Sequence, residues 1–430
     1  MPPGSPRPPD AGEVRLERRE RPMTLVTSVV EPVETGRPAI EELLERARAF
    51  RPMLMDRAAA TEADGRVSAE VTRMMIDAGL YRLGQPRRFG GYEYGPSDIL
   101  RLGFELGRGC GSTGWCAMLA NVNGWLAAYW PLAAQEEIWG DNPDHLVTGT
   151  FVPTGRCEAS EEGYRVWGRW PFASNCDNSD WLFVSAMLPE VAGEVPSVGW
   201  FMVPRADLGI DHDSWRVAGM QGTGSKTLFA DDPIFVPGHR VIRFADVEQG
   251  TTPGRDVPGN LMARFNFATM GAVTLVAPLL GMAQSALDWY AQAMRAKMKA
   301  SLKPGAPISV AQSPQAQARA GEAQVRIDAA RTLLLADLVP LEARVRAGED
   351  LAVADRIRIR RDIGFATRAA VEAVNLLFEG AGANSAALDA PIQRHWRDVN
   401  AAARHASLDT QAIYALVGQL CFGLDPKGQF

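Results

Sequence analysis

The chain has 430 residues, 46% apolar and 22% charged, and its 45 basic and 51 acidic side chains leave a net charge of −6. That composition is globular, with enough length for two or three domains and a large core. The charge offers no basic field for nucleic acid and too little acidity for a polycationic partner.

Residues 1–22 are rich in Pro, Arg and Glu and lack an apolar stretch, so residues 1–36 read as a disordered tail, with Met23 as an alternative start. From 37 to 145 the pattern predicts an N-terminal helical domain. AIEELLERARAFRPMLMDRAAATEADGRV places apolar residues at three- and four-residue steps and closes at Gly65. VSAEVTRMMIDAGLYRL repeats the pattern with Ser68 as N-cap, and CGSTGWCAMLANVNGWLAAYW is apolar nearly all round, which predicts a buried helix.

From 146 to 255 short β-rich runs alternate with Gly, Pro and Asp turns, a spacing that predicts a middle β-barrel domain. From 256 to 430 four long amphipathic stretches in series predict a C-terminal four-helix bundle, the last running unbroken through APIQRHWRDVNAAARHASLDTQAIYALVGQL. The fold class is α+β, mostly α. No apolar run reaches transmembrane length by eye, so no membrane partner is expected. Five scattered cysteines form no CxxC and fit no zinc spacing with the five histidines. No metal is expected, and free thiols suit a reducing, cytoplasmic setting.

Within the β region, GRWPFASNCDNSDW (168–181) starts as an alternating strand and turns abruptly polar. It is either a strand ending in a turn or a wall against which a flat, polar-edged molecule lies. Gly222-Thr-Gly224 precedes a strand rather than a helix, so it is no dinucleotide fingerprint, and GxSxG and Walker patterns are absent.

The order of helices, β region and bundle, together with GWFMVP, GMQGTGSKTLFADDPIFVPGHRVI, GMAQSALDWYA and PIQRHWRDVN in series, resembles the acyl-CoA dehydrogenase superfamily over about residues 40–425. The resemblance implies a flavin held between the β domain and the bundle, and a homotetramer. It puts Trp170, Phe172, Ala173 and Ser174 against the flavin ring, with Thr148 and Thr150 of the first strand beside flavin and substrate. Gly380, Gly382 and Asn384 resemble a Gly-rich turn that approaches flavin, and Arg295 resembles an arginine that meets flavin phosphate across a subunit boundary.

A dehydrogenase of this superfamily needs a carboxylate base, commonly Glu, near the Arg-Asp pair. After Arg397-Asp398 the chain reads VNAAARHASLD, without Glu. GRGCGSTGWC and GRWPFAS instead resemble the oxygenase components of two-component flavin monooxygenases. That branch takes reduced flavin from a separate NAD(P)H:flavin reductase and transfers oxygen from O2 through a C4a-hydroperoxyflavin. FMNH2 is expected ahead of FADH2, Ser174 is expected to bond flavin N5, and a true acyl-CoA dehydrogenase is the alternative.

Arg394, Asp398, Ala401 and His405 step by four, three and four, which places them on one helix face. His405 is the expected acid–base residue, with Asp398 favouring its charged form. Phenol-hydroxylating relatives carry His where this chain has Asn123 and Asn178, both expected to face substrate. Asn is no base near neutral pH. The expectation therefore leans to N-oxygenation of an amine, such as an amino sugar, with phenolic ring hydroxylation as the alternative.

Overall fold

A computed structural model describes residues 37–190, 196–299 and 308–430. The expected tail at 1–36 lies outside the described residues.

Five helices come first: α1 (Ile40–Ala63), α2 (Ala69–Asp77), α3 (Pro96–Gly109), α4 (Gly111–Leu126) and α5 (Leu132–Trp139). Ser68 caps α2 by accepting from the Val71 N–H at 3.2 Å, which satisfies one of the donors a helix start leaves open. Nearly every residue of α4 is buried, as its continuous apolar run requires.

The middle region does not close into a barrel. One sheet orders β1 (Val147–Gly149), β4 (Trp181–Met187), β5 (Val198–Pro204) and β8 (Val241–Arg243), with β1 parallel to β4. The other orders β2 (Arg156–Ser160), β3 (Gly163–Ala173), β7 (Lys226–Pro237) and β6 (Gly209–Asp211), all antiparallel. Strands β1, β6 and β8 span three residues each, too short to carry a ladder across the seam. Among the described residues a single bridge, Gly155 to Ala186, joins the sheets. Their inner faces bury Val166, Trp170, Leu182, Val184, Phe201 and Leu228 together, which is the packing of two open sheets.

After α6 (Phe244–Gln249) come α7 (Phe267–Ala296), the small ribbon of β9 (Met298–Lys299) and β10 (Ile308–Ser309), then α8 (Pro314–Arg346), α9 (Val353–Ala381), α10 (Pro391–Ala402) and α11 (Thr410–Cys421). By length and composition α7 could cross a membrane, but 89% of that apolar window is buried inside the fold. It is the spine of the bundle core, with Leu279, Leu280 and Ala283 set among side chains from α3, α8 and α9. The last predicted helix is broken. Residues 403–409 interrupt it, and Asp409 caps α11 through the N–H groups of Gln411 and Ala412. A capping aspartate competes with helix continuation, a stop signal that the apolar spacing concealed.

The loop from Gly219 to Ser225 fastens the sheets to the bundle. A Cβ at Gly219 would overlap the carbonyl oxygen of Arg397 on α10. Gly219→Ala is therefore expected to lower stability by about 1–3 kcal/mol, seen as an earlier urea midpoint with unchanged far-ultraviolet circular dichroism. An unshifted midpoint would show that the loop is not clamped.

Candidate active site

The polar turn that ends GRWPFASN is a bulged strand end. Pairing of β3 with β7 shifts register between Trp170 and Ala173. Phe172 there takes a left-handed φ of 68°, costly for an aromatic residue and common at functional sites. The bulge sends the two aromatics opposite ways. Trp170 is withdrawn into the sheet core, 0% exposed, and its indole N–H donates to the Ser185 carbonyl at 2.8 Å, so the expected stacking role falls to Phe172 alone. Phe172 is 63% exposed and meets Trp215 edge to face at 6.3 Å.

Ala173 resumes pairing opposite Lys226, and Ser174 begins a chain of hydroxyls. Ser174 Oγ lies 2.6 Å from Ser225 Oγ, which lies 2.7 Å from Thr223 Oγ1. Thr223 donates its only proton to the Met220 carbonyl at 2.8 Å. A hydroxyl has one proton to give, so the direction is fixed. Ser225 donates to Thr223, Ser174 donates to Ser225, and Ser174 Oγ keeps its lone pairs for an incoming N–H or O–H. The sequence reading missed Thr223, Ser225 and Trp215. The GTGS run was visible, but the fold was needed to bring it against Ser174.

A second chain meets the same residue. Thr148 donates to the Ser174 carbonyl at 2.7 Å, and Asn123 Nδ2 approaches Thr148 Oγ1 at 3.4 Å. Asn123 Oδ1 and Thr150 Oγ1 are buried without partners among the described residues. Buried polar groups left open cost about 1–3 kcal/mol each, which makes these two atoms candidates to meet a polar group. Asn178 is committed elsewhere. Its amide donates to the Val67 carbonyl at 3.0 Å and to Asn175 Oδ1 at 3.2 Å, which ties the turn to the helical layer rather than to a substrate.

Asp398 also departs from expectation. It is 5% exposed, and its Oδ1 accepts from the Met220 N–H at 2.6 Å. Burial pushes its pKa up to about 6, against the pull of that N–H and of Arg397 and Arg394. Arg394 pairs with Glu62 on α1 at 2.7 Å. Asp398 therefore positions the loop that carries Thr223 and Ser225.

His405 lies beyond the end of α10, off the Asp398 face, because the helix stops at Ala402. Its ring meets Trp115 edge on at 5.8 Å. Burial first, then Arg360, lowers its pKa to about 4, so it is neutral at pH 7. Its Nδ1 accepts from the Ser407 N–H at 3.2 Å, which puts the ring proton on Nε2. His405 is thus an N–H donor, with its basic nitrogen already occupied. Trp115 and Asn123 stand two turns apart on α4, about 12 Å along its axis, so His405 and Thr148 flank one stretch of that helix.

At the C-terminal end of α9, Gly382 has φ 84° and Asn384 is exposed in the turn that follows. Lys297 Nζ donates to the Ala381 carbonyl at 2.9 Å. Gly380 sits so close to Arg319 and Tyr290 that a side chain there would collide with them. Arg295 is exposed on the last turn of α7. Gly380 in the last turn of α9 and Gly382 and Asn384 just after it lie together in the chain.

Residues 38–139 match the acyl-CoA dehydrogenase N-terminal domain and residues 273–410 its C-terminal domain. The FADH2-dependent resorcinol hydroxylase, oxygenase component, of Rhizobium sp. strain MTP-10005 is 34% identical over 90% of this chain and 96% of that protein. The crystal structure of the HsaA monooxygenase from M. tuberculosis superposes with a TM-score of 0.84 at 32% identity, covering 91% of this chain and all of that one. XiaF from Streptomyces sp., solved with FADH2 and glycerol, gives 0.82 at 29% identity over 91% and 98%. The chain belongs to the acyl-CoA dehydrogenase superfamily, in its branch of flavin-dependent monooxygenase oxygenase components. It is an oxidoreductase that uses reduced flavin supplied by a separate reductase and acts on a small molecule. The dehydrogenase alternative is set aside.

His395, lowered to about 4 by burial and Arg394, and His405 are both neutral in the fold. An unfolded chain takes up these two protons near pH 6.5, so between about 6.5 and 4 it binds more protons than the native state. Their contribution to stability is complete above that window and is lost as pH falls through it. Asp398, raised to about 6, slopes the other way. In urea melts from pH 7 to 4.5, the His395→Gln/His405→Gln double variant is expected to lose less stability on acidification than the parent. Equal slopes would mean that neither imidazole is held neutral.

Proposed function

We propose that this oxygenase hydroxylates the ring of a phenol, with FADH2 as the reduced flavin. The observation that carries the reading is the fixed direction of the Thr223–Ser225–Ser174 chain, which leaves Ser174 Oγ as an acceptor. That polarity suits the N5–H of reduced flavin, which oxidised flavin lacks. The outward ring of Phe172 supplies a flat wall beside it, and Ala173, Thr148 and Thr150 complete the ring edge. Gly380, Gly382, Asn384 and Arg295 are assigned to the phosphate and adenine side, with Arg295 reaching a neighbouring subunit of a homotetramer. FADH2 replaces the FMNH2 expected from sequence because the similar hydroxylase and the XiaF complex both name FADH2.

Bound reduced flavin supplies the electrons that let O2 place one oxygen atom on the substrate and release the other as water. The chain's part is to position and to exclude water. A phenol ring beside Trp115 on α4 meets the His405 Nε2–H as donor, while Asn123 Oδ1, two turns further along, is an acceptor for a more distant polar group of the substrate. The neutral donor selects the phenolate, whose proton has been left to bulk water before binding, and the ionised oxygen activates the ring carbon beside it. The amine expected from sequence gives way to a phenol, since the similar oxygenase is named for resorcinol and an imidazole N–H donor favours an oxygen acceptor over a protonated amine.

Ser174→Ala is expected to lower hydroxylated product per flavin oxidised by about ten-fold, the worth of one lost hydrogen bond near developing charge, with hydrogen peroxide rising in step. Unchanged coupling would remove Ser174 from the site. For His405, the donor role predicts that His405→Gln keeps most of the product yield while His405→Phe loses about ten-fold or more. If both fail alike and high pH rescues both, His405 is a base after all.

A further inference from the structure

A cleft of about 170 Å³ opens between the turn after α6, the residues that lead into α7 and the connection from α8 to α9. None of its lining residues belongs to the Ser174 cluster, to His405 or to the Gly382 turn. Three arginines line it, Arg255, Arg264 and Arg356, against two acids, Glu248 and Asp350. Arg255 is fixed in the wall. It donates to the Gly250 carbonyl at 2.8 Å and to Asp350 Oδ1 at 2.8 Å, which engages one of the acids and leaves the cleft with a positive excess.

Two donors here lack acceptors. Thr252 is 2% exposed, and its hydroxyl has no partner among the described residues. Arg356 lies with its guanidinium carbon 5.3 Å from the Phe430 ring centre, and its buried Nε–H also finds no acceptor there. A guanidinium edge and a hydroxyl together call for an acceptor with more than one oxygen, and the planar fork of arginine matches a carboxylate in two-point contact. Phe265 and Tyr129 form part of the lining at 4% and 3% exposure, and the Tyr129 hydroxyl is already spent on the Phe265 carbonyl, so neither offers a polar group to a ligand.

We propose that this cleft is a separate small-molecule site that takes the carboxylate of a small organic acid, with Arg356 and Thr252 as donors. The site does not depend on flavin or on the hydroxylation reading, so it can be tested on the flavin-free full chain. Isothermal titration with benzoate, with neutral benzamide and with inorganic phosphate separates the contributions of charge and of the carboxylate itself. Benzoate is expected to bind at least ten-fold more tightly than either of the other two. Arg356→Gln should weaken benzoate ten- to a hundred-fold, the range for a hydrogen bond to a charged group. Thr252→Val, which keeps shape and removes one hydroxyl, should weaken it several-fold without moving the melting temperature, while Phe172→Ala in the flavin region should leave it unchanged. Equal affinity for benzoate and benzamide overturns the oxyanion assignment, and phosphate binding as tightly as benzoate overturns the preference for a carboxylate. Benzoate affinity that ignores Arg356→Gln and Thr252→Val, or that falls with Phe172→Ala, places the ligand elsewhere and rejects the site.

Discussion

One buried carboxylate, Asp398, meeting one backbone N–H, that of Met220, 178 residues away in sequence, holds this site in register. Desolvating a carboxylate is expensive unless it is hydrogen-bonded and near positive charge, and this one has the N–H at 2.6 Å with Arg394 and Arg397 beside it. Met220 itself takes a left-handed φ of 59°, strain that persists only where the surroundings impose it. From that anchored residue the loop presents a carbonyl to Thr223, and Thr223 in turn sets the direction of the hydroxyl chain through Ser225 to Ser174. The same loop accepts at the Thr223 carbonyl from the Asn175 N–H and from the Cys116 thiol of α4. Sheet, bundle and N-terminal helices therefore converge on seven residues.

Apart from Asp398 and the arginines beside it, the cluster carries no formal charge. His405 carries no charge at pH 7, the hydroxyls are directional rather than acidic, and the buried thiol of Cys116 is pushed well above its ordinary value by burial. In a region shielded from water, fixed dipoles need no reorganisation as charge develops on a substrate. The arrangement suits a chemistry in which the cofactor performs the redox step and the protein supplies orientation and dryness. An acid–base machine would instead place a titrating group near pH 7 beside the reacting atom.

Much of the layout was legible in the chain. Apolar periodicity placed the helices, short β-rich runs placed the strands, and PFASN marked the strand end that forms the cluster. What could not be read was long-range. Barrel closure depends on edge strands that run three residues, shorter than any pattern can measure. Trp170 and Phe172 look like a pair at period two, and the bulge that separates them is a register shift with β7, far away in sequence. The face shared by Asp398 and His405 assumed a continuous helix, and the Asp409 cap ended that continuity. Asn178 was expected to face substrate because it stands where phenol-hydroxylating relatives carry His, whereas its amide donates to the Val67 carbonyl on a different layer. The role of His405 turned on one backbone N–H, that of Ser407, which no spacing rule reveals.

The central claim is that this chain uses reduced flavin and O2 to place an oxygen atom on a phenol ring. The direct measurement is product mass after a single turnover of the full chain with FADH2, ¹⁸O2 and resorcinol, quenched and resolved by mass spectrometry. The account predicts a ring-hydroxylated product carrying one ¹⁸O atom. Unchanged resorcinol with all of the label in hydrogen peroxide, or oxygenation of an added amine in preference to the phenol, would contradict it.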